Sequence, residues 1–202
     1  MMQTTEYIVC QSTGYLLFYG RGCDNMKKMR GFIEFVKEND RSVHSSFELL
    51  FMPGVWAIVW HRIAHGLYGM KLFVFARVIN SLSRILTGVD IHPGATIGSP
   101  VFIDHATGVV IGEQTIIGNN VVIYHGVTLG ARNQSSEAKR HPTIEDDVVL
   151  GCNATVLGNI TICKGARVKA GSMVTKEVDC KKMKRTKEKL NNKALKNSLV
   201  LN

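Results

Sequence analysis

The residues of this 202-residue chain that could do chemistry are few and regularly placed. His105 and His125 each follow an isoleucine by two positions, Ile103 and Ile123. Asp90 and Asp104 flank the same stretch, and Arg140 and His141 close a polar segment further on, ARNQSSEAKRHP. An imidazole titrates near pH 6.5, so beside carboxylates it can accept and return a proton at neutral pH. Three imidazoles drawn from two subunits can instead hold zinc. A single histidine on a repetitive surface is commonly decoration, and it is the convergence of His, Asp and an Arg-His pair that marks a site. Carboxylate on one side and Arg-His on the other would suit a substrate carrying both charge signs, such as an amino acid.

What must position these groups is a repeat. Aliphatic residues fall six apart in three runs: Ile91, Ile97, Ile103; Ile111, Ile117, Ile123, Leu129; Ile144, Leu150, Val156, Ile162, Val168, Val174. Small or apolar residues stand two positions earlier, at Val89, Ala95, Val101, Val109, Val121, Val127, Ala154 and Ala166. A six-residue step predicts a triangular coil of three short parallel strands with a filled interior, that is, a hexapeptide solenoid resembling the left-handed parallel β-helix. A β-sandwich offers no reason for that period. Two breaks interrupt it, a step of eight from Ile103 to Ile111 and a step of fifteen from Leu129 to Ile144. His105 lies in the first and Arg140-His141 in the second, where extra chain on a rigid scaffold carries function. Three hexad steps separate Ile103 from Ile123, so His105 and His125 are expected to stack in adjacent coils.

Before Gly88 the apolar period is three to four, which predicts helices over MKKMRGFIEFVKEN, SSFELLF, a segment opening at Pro53-Gly54, and MKLFVFARVINSLSRIL. The fold class is therefore α+β. Residues 26–88 form a helical region and 89–178 the solenoid, with a protruding loop at 131–142. Met26 before an amphipathic helix reads as a plausible start, which makes 1–25 a dispensable extension. Residues 179–202 form a basic tail.

The net charge of +9 is concentrated in that tail, where residues 176–202 hold nine Lys or Arg against three acids and supply +6 of it. No aromatic-interleaved basic motif accompanies the charge, so no nucleic-acid partner is expected. No run is long and apolar enough to span a bilayer, because FELLFMPGVWAIVW at 47–60 is short and broken by Pro53-Gly54. Five cysteines without C-x-x-C spacing, and no convincing signal peptide, point to a reducing, cytoplasmic setting.

The strings VDIHPGATIG (89–98), IDHATGVVIGE (103–113), VTLGA (127–131), KRHPTI (139–144) and VLGNI (156–160) resemble the serine O-acetyltransferases of the hexapeptide-repeat acyltransferase superfamily. The preceding FMPGVWAIVWHRIAHGLY resembles the helical region of that family's short form. The resemblance implies transfer of acetyl from acetyl-CoA to the hydroxyl of L-serine, in cysteine biosynthesis. Position by position, it makes His105 the general base and Asp90 its orienting carboxylate. Asp104 and Asp40 would accept from the serine ammonium, while Arg140 and His141 would hold the carboxylate. Asp40 matches the aspartate of the family's R-D-P motif, although Arg41 follows where the family has proline; capping a helix is the alternative role. Acetyl-CoA would lie in a groove between subunits at positions mapping to Ala131, Cys152 and Ala170. Cys152 stands for the usual alanine, and Lys169, for the usual glycine, would meet a CoA phosphate or solvent. A homotrimer or dimer of trimers is implied, with no metal.

The family's closing segment, which folds over the CoA groove and in many members docks into cysteine synthase, is absent; DCKKMKRTKEKLNNKALKNSLVLN stands in its place. Cysteine synthase is thus a possible but doubtful partner. Other readings keep the solenoid but change its use: a sugar or antibiotic hydroxyl as acceptor, a zinc site from His105, His125 and a neighbour's His141, or a non-catalytic assembly partner.

Overall fold

The structure is a computed structural model that describes residues 19–132 and 139–177, with side chains from Met29 onward. Helix α1 (Tyr19–Asn39) begins seven residues before the start expected at Met26. A 3-10 turn (Ser46–Phe51) follows, capped by Ser45, whose N–H is accepted by Glu48 at 2.7 Å. Helix α2 (Pro53–Gly69) opens with proline in its first turn, where the missing N–H costs nothing. Helix α3 (Phe73–Thr87) ends at Gly88 in the left-handed conformation.

Thirteen short strands then wind into three parallel sheets. The first wall holds β1 (Asp90–Ile91), β4 (Val110–Ile111), β7 (Thr128–Gly130), β10 (Thr155–Leu157) and β13 (Met173–Val174). The second holds β2 (Thr96–Ile97), β5 (Ile116–Ile117), β8 (Thr143–Ile144) and β11 (Thr161–Ile162). The third holds β3 (Val101–Asp104), β6 (Val121–Tyr124), β9 (Val149–Leu150) and β12 (Arg167–Val168). Each of the thirteen hexad aliphatics sits on its own strand. Those from Ile91 to Ile162 are buried, and Val168 and Val174 pack against the same core at its last coil. The small residues two positions earlier are buried with them. This is the left-handed β-helix architecture that the six-residue step predicts.

Helices α1 and α2 cover the outside of the third wall, and α3 packs on α2 and against β1. Val36 of α1 and Leu49 of the 3-10 turn meet Phe102 and Val122, which is why β3 and β6 are buried on both faces. Helix α2 lays its small face, Gly54, Ala57, His61 and Ala64, against the solenoid. Gly54 is required there, because a Cβ would be driven into the Ile103 carbonyl. Arg62 donates to the Gly98 carbonyl at 2.6 Å and His65 to that of Pro93 at 2.7 Å. His61 is buried with Nδ1 unpartnered among the described residues. Burial, then the charges of His65 and Arg62, push its pKa down to about 4. Cys152 is a free, partly exposed thiol. No described helix is long and apolar enough to cross a membrane.

Two stability experiments follow from this packing. Gly54→Ala should destabilise by about 1–3 kcal/mol through the clash at Ile103, read as a lowered thermal midpoint. An unchanged midpoint would mean that α2 does not dock as described. His61 is held neutral in the folded chain but titrates near 6.5 when unfolded, so its contribution is complete above pH 6.5 and drains as pH falls toward 4. Stability should drop by about 2–3 kcal/mol across that window and less in His61→Gln; equal slopes in both proteins would remove His61 as the cause.

Candidate active site at the edges of the first wall

The eight-residue step after Ile103 is a tight turn in which His105 (φ 58°), Ala106 (φ 54°) and Gly108 (φ 77°) are all left-handed. For His105 and Ala106 that backbone costs roughly 1–2 kcal/mol per residue. The strain has a result: the imidazole projects from the solenoid, its side chain 74% exposed, while the neighbouring Asp104 side chain is only 14% exposed. Asp104 Oδ2 lies 3.7 Å from His105 Nε2. As the register Ile103↔Ile123 requires, His125 stacks next to His105, with ring centroids 6.0 Å apart at 73°. The Nδ1 of His125 is buried with no hydrogen-bond partner among the described residues.

Asp40 reaches the same place from the helical region. It follows α1, and its Oδ1 accepts from the Ser42 N–H at 2.9 Å and the Ser42 hydroxyl at 2.6 Å. It therefore fastens the turn that leaves α1, and its carboxyl lies within electrostatic reach of His105. The Ser42 hydrogen bonds hold its carboxyl below the usual range, with a smaller contribution from His105. Burial pushes the Asp104 carboxyl up; His105 pulls it down and the like charge of Asp40 raises it further. An exposed imidazole thus sits beside the Asp104 carboxylate and within electrostatic reach of Asp40, an arrangement that can accept a proton and hold a cation.

Arg140 and His141 lie at the other edge of the first wall, over the turn between β4 and β5. The Arg140 N–H donates to Gln114 Oε1 at 2.9 Å, and His141 Nδ1 lies 3.2 Å from that oxygen. Arg140 NH2 is 4.0 Å from Glu113 Oε2, and Glu113 Oε1 accepts from the Tyr68 hydroxyl of α2 at 2.9 Å. Burial, then the Arg140 charge, pushes the His141 imidazole down, against the pull of Glu113. Glu113 is itself held below the usual carboxylate range, chiefly by Tyr68.

Asp90 points outward from β1, where Asn80 donates to Oδ1 at 3.0 Å and Arg84 approaches Oδ2 at 3.4 Å. The carboxylate recorded beside His105 is Asp104. The His105 turn nonetheless stays close to Asp90 in the chain path, because the Gly108 N–H donates to the Gly88 carbonyl at 2.9 Å. Cys152 shares the His105 and His125 edge: Asn153 N–H donates to the His125 carbonyl at 2.9 Å and Gly171 N–H to that of Cys152 at 2.8 Å. Lys169 and Ala170 are exposed in the next coil, and Ala131 lies after β7 on the Arg140 edge. Within one chain His105 and His141 therefore stand on opposite edges of the first wall, and among the described residues no three His, Cys, Asp or Glu gather tightly enough to hold a metal. Tyr68 and Glu113 close two of the strings that carry the resemblance but had no role assigned there, and Gln114 lies outside them.

The family model for bacterial transferase hexapeptide repeats (six repeats) matches residues 141–176, and that for the hexapeptide repeat of succinyl-transferase matches 89–125 and 108–132. The serine acetyltransferase of Bacillus subtilis is 50% identical over 147 residues, 72% of this chain and 67% of that protein. The chain belongs to the serine acetyltransferase family. The solved serine acetyltransferase of Neisseria gonorrhoeae, in complex with serine, superposes with a TM-score of 0.71 at 40% identity over 79% of this chain and 65% of that one. The Brucella abortus family member in complex with coenzyme A gives 0.73 at 38% identity, over 78% of this chain and 63% of that one. This chain thus spans about two thirds of the length of these serine acetyltransferases.

Proposed function

We propose that the protein is an acetyl-CoA:L-serine O-acetyltransferase whose active site is completed by a second copy of the chain. The observation that carries this reading is the meeting of Asp40, from the helical region, with Asp104 and His105 on the solenoid turn. Family relatives solved with serine and with coenzyme A support the same two substrates.

In this mechanism His105 accepts the proton of the serine hydroxyl as that oxygen attacks the thioester carbonyl. The carbon–sulfur bond then breaks, the proton passes from the imidazolium to the departing CoA sulfur, and O-acetylserine is left. Asp104 and Asp40 take the serine ammonium, which fixes the hydroxyl at the imidazole. The family resemblance gives Asp90 the orienting role that a carboxylate plays in a Ser-His-Asp triad, with substrate as the nucleophile, which requires it to turn from Asn80 and Arg84 toward the imidazole. Arg140 and His141 hold the substrate carboxylate. Because they occupy the opposite edge of the first wall, they are supplied by the neighbouring copy in a trimer or dimer of trimers. The same packing makes the wall between Cys152, Ala170 and a neighbour's Ala131 the acetyl-CoA groove, with Lys169 at its rim. Apolar residues left exposed on α3, such as Val74 (74%) and Ile85 (78%), support an assembled state. The segment on which a cysteine synthase contact would rest lies outside the described residues.

Thiol release from acetyl-CoA should require L-serine. His105→Ala should slow it by about two to four orders of magnitude with the assembly intact, and a near-normal rate would remove His105 from the chemistry. Arg140→Ala should raise the serine KM, and an unaltered serine dependence would end the carboxylate assignment.

A further inference from the structure

Glu113 and Gln114 have no part in the machinery assigned above, yet both touch it. The single Oε1 of Gln114 faces two groups, the Arg140 N–H at 2.9 Å and His141 Nδ1 at 3.2 Å. A backbone amide can only donate, so the shared atom is an oxygen, and His141 Nδ1 must carry the hydrogen. Nε2 is then the nitrogen at which a proton is gained or lost: a lone pair in the neutral ring, a donor in the imidazolium. The ring has little room to turn, because it lies against Gly112, where a Cβ would collide with its Cδ2 and Nε2. On the neighbouring residue, Glu113 Oε2 faces the Arg140 guanidinium at 4.0 Å, while Oε1 is held by the Tyr68 hydroxyl at 2.9 Å. That hydroxyl comes from α2, so the helical region braces a solenoid loop through one carboxylate.

We infer that Glu113 and Gln114 are positioning residues for the substrate carboxylate, Glu113 aiming the Arg140 guanidinium and Gln114 fixing both the Arg140 backbone and the His141 tautomer. The inference rests on the serine acetyltransferase reading and deepens its binding step. Its chemical consequence is that His141 meets a carboxylate as an imidazolium, with Nδ1–H on Gln114 and Nε2–H on the substrate. Carboxylate binding then takes up one proton. The charged groups facing His141 are Arg140 on its own segment, Glu113 on the β4–β5 turn and His92 after β1. Arg140 and His92 oppose that protonation, and Glu113 favours it.

The test uses the full chain and steady-state kinetics with L-serine and acetyl-CoA, comparing Gln114→Ala, Gln114→Glu and Arg140→Ala across pH 6 to 9. Gln114→Ala should raise the serine KM about tenfold while leaving the acetyl-CoA KM nearly unchanged. Gln114→Glu keeps the acceptor and adds a negative charge at Nδ1–H, so it should recover serine affinity and move the pH profile of the serine KM to higher pH. Equal losses for both substrates in Gln114→Ala, or an unmoved profile in Gln114→Glu, overturn the inference. The profile of Gln114→Glu decides the matter even if Gln114→Ala does not fold. If Arg140→Ala weakens serine binding while neither Gln114 variant does, the positioning role alone falls. If wild type shows no serine-dependent thiol release, the underlying reading falls with it.

Discussion

Every coil of the solenoid must fill its own interior, and this packing requirement decides where chemistry can sit. Each hexad position is taken by an aliphatic side chain, from Ile91 to Ile162, whose burial stabilises by about 1.5–3 kcal/mol apiece. A polar group placed there would have no partner and no water. Reactive side chains are therefore confined to outward positions and to the points where the chain leaves its six-residue step. The two departures are the strained turn at His105 and the loop that ends at Arg140-His141. At the first the His105 side chain projects from the scaffold, and the described end of the second lays Arg140 and His141 over the β4–β5 turn.

The same rigidity separates the two halves of the site. Asp40, Asp104 and His105 share one edge of the first wall, and Arg140, His141, Glu113 and Gln114 share the other. No local rearrangement of two-residue strands brings those edges together. On the proposed reading, packing copies of the chain side by side does, which would make assembly a requirement of catalysis and not a separate property. The helical region then has two duties. Its α1 exit carries Asp40, whose carboxyl feels the His105 charge, and Tyr68 of α2 donates to Glu113, which faces Arg140.

The solenoid was legible because its core repeats: thirteen aliphatics at a fixed step map one to one onto thirteen strands. The stacking of His105 on His125 followed from the same arithmetic, and the helices were readable up to the first turn of α1, which extends further back than the apolar period showed. Contacts set by tertiary docking were not legible. Tyr68 and Glu113 are 45 residues apart and meet only because α2 lies on the solenoid. Gln114 is one polar residue in a turn, and nothing in its neighbours marks it as the acceptor for Arg140 and His141. Asp90 was paired with His105 by resemblance, whereas in the single chain its recorded partners are Asn80 and Arg84 on α3.

The central claim, that one site draws His105 and Arg140 from different copies, is tested most directly by complementation. At a serine concentration well below the raised KM of Arg140→Ala, chains carrying His105→Ala and chains carrying Arg140→Ala should each be nearly inactive alone. Mixed at equal amounts into one assembly, they should rebuild about a quarter of the wild-type sites, those in which both residues are intact, and recover serine-dependent thiol release to match. Mixed assemblies, verified as mixed, that stay as inactive as the single variants would show that each chain builds its own site and contradict the account.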